Sequence, residues 1–133
     1  EMRQQDPSLI LVEPYKELPV DRAGFVGEIP AIVGMLPCDN FPAYTARKLY
    51  VHNCGHACLA YMGYLHGYEY GYEALSDASI LAFVRAALAE STVGIVAEYG
   101  VQASWLEEHI ADLLQRFSNR ALDDFPPGTG SRA

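Results

Sequence analysis

Residues 43–66 read AYTARKLYVHNCGHACLAYMGYLH, and this stretch decides the fold. It holds no proline and is rich in Ala, Leu and Tyr, which predicts one long helix starting just after Pro42. Two more helices follow. One takes Ser76 or Asp77 as its N-cap and runs to Tyr99, where Gly100 supplies the left-handed residue that ends it. Ile80, Phe83, Val84, Ala87 and Leu88 recur at helical spacing and give it a buried stripe. The last opens on a capping box, Ser104-Trp105-Leu106-Glu107, and continues to about Phe117. Its apolar set is Leu106, Ile110, Leu113 and Leu114.

Upstream the pattern is different. Residues 8–15, SLILVEPY, form a short β-rich run closed by Pro14, which predicts one strand. From Lys16 to about Asn40 the chain carries Pro19, Gly24, Gly27, Pro30, Gly34 and Pro37. That density of breakers predicts an ordered but irregular connection. Downstream, FPPGTGSRA (residues 125–133) has nothing to bury and reads as a disordered tail. The expected architecture is mainly α, with a short N-terminal strand and an irregular segment. It forms one domain over residues 1–124, and 133 residues leave no room for a second. A first residue of Glu1 makes the chain read as a piece of something longer.

Composition removes several classes of function. Nine Lys and Arg stand against 17 Asp and Glu, a net charge of −8. Nucleic acids and anionic membranes select basic patches, and no run of Lys or Arg exists, so neither partner is expected. No uncharged apolar stretch approaches the roughly 18–20 residues that span a bilayer. No basic region followed by an apolar run marks a signal peptide. Cys38, Cys54 and Cys58 make no disulfide framework, which favours the reducing cytoplasm. The ending GTGSRA spells a dinucleotide pattern, but Pro126-Pro127 precede it where a strand is needed and no helix follows. It is no nucleotide site.

The chemistry gathers in KLYVHNCGHAC, residues 48–58. At about 100° per residue, His52 falls about 40° from Lys48, His56 about 80° and Asn53 about 140°. Cys54 and Cys58 fall at about 240° and 280°, across the helix from the histidines. One tetrahedral ion cannot collect all four, so no metal site is expected. What remains is an arc carrying Lys48, His52, His56 and Asn53, with Gly55 beside it. It is either a pocket wall or a solvated face with incidental histidines. As a wall, a desolvated lysine accepts a proton near neutral pH, an asparagine amide donates to a carbonyl oxygen, and an imidazole orients a hydroxyl.

KLYVHNCGH, Lys-x4-Asn-x2-His, resembles the signature of the polyol-specific long-chain dehydrogenases, the mannitol dehydrogenase family. DPSLILVEPYKELPVD, GFVGEIPAIVGM, ARKLYVHNCGHACLAYMGYLHGY and LLQRFSNRALDD all resemble that family's second half, from about Asp6 to Asp124. The resemblance implies a helical C-terminal substrate domain whose N-terminal Rossmann partner, the main NAD-binding part, is absent from this chain. It implies hydride transfer between NAD and a polyol or ketose, foremost mannitol 1-phosphate and fructose 6-phosphate. In those terms Lys48 is the general base, Asn53 polarises the reacting oxygen and His56 positions the substrate.

Arg116, in QRFSN, matches the family's RFxNP arginine and implies a grip on substrate hydroxyls or phosphate; alone, it reads equally as a helix C-terminal arginine. His52 and Cys54 read as packing or wall residues. A sister activity on mannitol or a hexuronate, or a non-catalytic helical interaction domain, fits the same text. Without its partner half the chain is expected to be inactive and to self-associate through exposed apolar faces.

Overall fold

The computed structural model describes residues 17–120. The strand expected at 8–15 and the tail at 125–133 lie outside the described residues. Two compact units divide the chain, one up to Phe41 and one from Pro42 onward.

The first unit holds strand β1 (Leu18–Asp21) and strand β2 (Met35–Cys38), paired parallel with Leu18 opposite Met35 and Asp21 opposite Cys38. An irregular connection was the expectation here, because of the prolines. Among the described residues the sheet has two strands, so each has one edge unpaired within it, where a proline's missing N–H costs no bond of this ladder. Pro19 and Pro37 both lie inside strands on these terms. A 3-10 turn, Arg22–Gly24, leaves β1, with the Ala23 N–H donating to Asp21 Oδ1 at 3.0 Å. Arg22 then ties the crossover to β2, donating to the Pro37 carbonyl at 3.0 Å and pairing with Asp39 at 2.8 Å.

The second unit is helical, as expected. Its first long helix, predicted over 43–66, spans residues 41–65 in three parts. These are α1 (Phe41–Ala46), a π-helical segment (Arg47–Asn53) and α2 (Cys54–Leu65). α2 ends where Gly67 takes φ 79°, with Gly67 N–H reaching the Tyr64 carbonyl and Tyr68 N–H the Gly63 carbonyl. That pair of bonds is a Schellman stop. A short helix α3 (Gly71–Ser76), not foreseen from the sequence, packs closely on α2. A Cβ on Gly63 would lie 2.9 Å from that of Ala74, so only glycine allows the approach.

Helix α4 (Ala78–Tyr99) follows its expected punctuation. Asp77 accepts from the N–H groups of Ser79 and Ile80, and Gly100 adopts φ 65°. Ile80, Val84, Leu88 and Ile95 are its buried line, whereas Phe83 is 47% exposed and leaves the expected stripe. By length and composition α4 is the one described helix able to cross a membrane. It also carries Arg85 and Glu90 and lays its buried line into the core. Helix α5 (Ala103–Phe117) starts one residue before the predicted cap. Gln102 is its N-cap and makes no side-chain capping bond, so the Ser104 capping box is not formed. Leu106, Leu113, Leu114 and Phe117 bury its inner face. Val51, Leu59, Ile80, Val84, Leu88, Leu106 and Leu113 are the largest side chains fully enclosed at the centre.

Candidate functional site

Lys48, His52 and Asn53 all fall in the π segment, and this changes their geometry. In a π-helix each N–H reaches back five residues instead of four. The exit from the segment shows it, with Cys54 N–H bonded to the Leu49 carbonyl. Residues five apart thereby become one-turn neighbours, where an α-helix sets them about 140° apart. The Arg47/His52 pair shows the effect, since both contact α5. Arg47 stacks its guanidinium 4.2 Å from the Trp105 ring and 5.0 Å from Tyr44. His52 lies 6.3 Å from His109 and 6.2 Å edge-on to Phe117. The next i, i+5 pair is Lys48 and Asn53, and both are exposed. The α-helical wheel separates these two; the π turn aligns them.

His56, one turn into α2, is half-buried with its ring 5.3 Å from Phe117. Arg116 is also partly buried, in the last turn of α5 beside Phe117, with Nη1 3.8 Å from Asp112 Oδ2. The structure thus brings His52 and His56 against one aromatic residue, Phe117, while Arg116 precedes Phe117 in α5 and its charge acts on His109. Lys48 and Asn53 occupy the adjoining exposed face. Gly55 has a different explanation from chemistry. A Cβ there would lie 3.2 Å from Leu88 and 3.6 Å from Leu113, so it admits α4 and α5 against the helix.

Two members of this region escaped the sequence reading. His109 is half-buried against His52. Burial first, then the charges of Arg47, His52 and Arg116, hold its imidazole down to about 4, against the opposing pull of Asp112. Arg47 is the other. The signal was present: Trp105, His109, Asp112 and Arg116 follow i, i+4, i+7, i+11 spacing, one face of α5.

The cysteines stand apart. Burial, then the neighbouring Cys54 thiol, pushes the Cys58 thiol up, and Cys58 packs against the core. Among the described residues no three His, Cys, Asp or Glu side chains converge to hold a metal ion.

Residues 40–125 match the mannitol dehydrogenase C-terminal domain, and the chain belongs to that family. It is 37% identical over 115 residues to a mannitol-1-phosphate 5-dehydrogenase of Oceanobacillus iheyensis, a match covering 86% of this chain and 30% of the relative. A mannitol-1-phosphate 5-dehydrogenase of Anoxybacillus flavithermus is 38% identical over 120 residues, covering 90% of this chain and 32% of the relative. The chain therefore spans about a third of the length of these relatives.

Proposed function

We propose that this chain is the substrate-binding and proton-transfer part of a cytoplasmic, NAD-dependent polyol dehydrogenase that interconverts mannitol 1-phosphate and fructose 6-phosphate. The observation that carries the reading is the π-turn relation of Lys48 and Asn53, with His56 on the same helix. Lys48 accepts the hydroxyl proton as the carbinol carbon is oxidised, and Asn53 donates its amide hydrogen to the oxygen that becomes a carbonyl. His56 holds that oxygen's orientation, and Arg116 grips a neighbouring substrate oxygen. Lys48 is solvent-exposed in this chain. A base needs a lowered pKa, and closure of substrate and a partner domain over that face supplies the desolvation.

The described residues do not fit a dinucleotide. A pyrophosphate seat needs a strand that runs through a glycine turn into a helix N-terminus. Here β1 runs into a single 3-10 turn, and β2 reaches α1 through Asp39-Asn40, with no glycine and with a carboxylate where a pyrophosphate would sit. No step is therefore routed through NAD on this chain, and its seat is assigned to the part of the relatives' length beyond the match. The test is a chimera in which this chain replaces the matching segment of the Anoxybacillus flavithermus relative. The chimera is expected to reduce fructose 6-phosphate, and Lys48→Ala to lower kcat by about 10²–10⁴-fold with NADH affinity unchanged. A folded, NADH-binding Lys48→Ala chimera with undiminished turnover removes Lys48 from its role. The isolated chain is expected to bind no NADH in calorimetry.

A further inference from the structure

Helix α2 begins at Cys54, where the five-residue register of the π segment gives way to a regular α-helix. Cys54 and Cys58 therefore stand one regular turn apart on the same side of α2, with Cβ atoms about 5–6 Å from each other. Both are free cysteines, both are partly exposed, and their thiols act on each other directly. Cys58 also packs against the hydrophobic core, so the pair has an apolar floor and an open side.

A disulfide does not suit this spacing. It needs Cβ atoms roughly 3.5–4.5 Å apart and would have to distort the helix. A single atom set between the sulfurs does suit it. Two metal–thiolate bonds of about 2.3 Å let the sulfurs stand up to roughly 4.6 Å apart, within the reach of one helical turn. Zinc in a structural site asks for four ligands. Among the described residues no third His, Cys, Asp or Glu joins the two thiols. Soft thiolates select Cu(I) as well as zinc, and Cu(I) is satisfied by two ligands on a line.

We propose that Cys54 and Cys58 form a two-coordinate thiolate site for Cu(I) on the first turn of α2. Binding is a ligand exchange with no oxidation or reduction. One Cu⁺ takes both sulfurs and two thiol protons leave to solvent, which gives a bis-thiolate of single negative charge. In the free chain, burial and the Cys54 thiol make the Cys58 proton harder to remove, a cost that the copper–sulfur bond offsets. The bridge also closes the first turn of α2 from its side chains, at an end that has no side-chain cap. His56 lies on another side of this helix, so the site is independent of the dehydrogenase reading.

The test titrates the reduced 133-residue chain with Cu(I), under nitrogen, against a chromophoric Cu(I) chelator. One Cu(I) per monomer is expected, with two sulfur neighbours on a line by X-ray absorption spectroscopy. Cys54→Ser and Cys58→Ala should each weaken binding by about 100-fold or more, since even outer partners of metal ligands carry roughly 10–100-fold. Cys38→Ser removes the thiol that donates to the Leu36 carbonyl in the first unit, and should leave the affinity unchanged. Thermal melts establish that each variant is folded; if the core-packed Cys58→Ala is not, Cys54→Ser decides. Binding that survives Cys54→Ser, or that is lost with Cys38→Ser, overturns the proposal. So does a copper-bridged dimer in sedimentation, because the two sulfurs then come from different chains.

Discussion

Helix α4 and the helix spanning residues 41–65 are similar in length and share a core, yet they obey different rules. α4 opens on Asp77, closes on Gly100, and keeps one hydrogen-bond register between them. The other changes register for seven residues, caps neither the π segment nor α2 with a side-chain bond, and holds two glycines against its neighbours. The departures coincide with Lys48, His52 and Asn53. On the proposed reading, local rules give way here to an arrangement that a regular helix cannot supply.

The contrast can be tested by experiment, and the largest expected effect belongs to Lys48→Ala in the chimera, which removes the proposed general base from the irregular helix. Next comes Gly63→Ala. Its new Cβ meets Ala74 at 2.9 Å, so overpacking outweighs the gain in helix propensity and costs about 1–2 kcal/mol by chemical denaturation. Asp77→Ala removes the cap of α4 and the acceptor of the Tyr68 hydroxyl, 3.0 Å away. A fall in Tm of roughly 4–8 °C is expected by calorimetry. Gly94→Ala should move the other way, by up to about 1 kcal/mol, because nothing lies within 4 Å of the added carbon. If both glycine variants change stability alike, the two helices do not differ as described.

Acidification gives the finest comparison. An unfolded chain protonates His109 near 6.5, while the folded chain resists until about 4. Across that window the unfolded state binds more protons, so stability falls as pH falls. His109→Gln should flatten this part of a Tm-against-pH curve. Asp77 behaves oppositely in origin. The Ser79 hydroxyl and N–H, then the Tyr68 hydroxyl, hold its carboxyl down to about 2 from 3.8. Its stabilisation is intact above the ordinary carboxylate range and fades only as pH drops toward 2. The packing around His109 is therefore expected to weaken before the α4 cap does.

Much of the helical body was legible because its signals are local. An Asp before an apolar stripe and a Gly after it mark α4 without reference to anything else. The π segment has no such signature. It becomes visible only once Arg47 and His52 are both known to contact α5, and that is a tertiary fact. The same blindness explains α3, whose six residues GYEALS include good helix formers in Glu73, Ala74 and Leu75 but are too few to hold a helix without packing on α2. In the first unit, the prolines pointed away from strands because the open edges of a two-stranded sheet cannot be read from spacing. For the site, the residue types in KLYVHNCGH were readable, but the alignment of Lys48 with Asn53 was not. Cys54 and Cys58 read correctly as lying off the histidine face, since α2 resumes the regular register from Cys54.

The stacking of Arg47 on Trp105 has one more use. Trp105 is the chain's single tryptophan, and it rests under a cation where the π segment meets α5. Its fluorescence is consequently an optical gauge built into the molecule. Any event that slides Arg47 off the indole alters the emission, so movement of the π segment against α5 can be timed on the unlabelled protein in a stopped-flow instrument.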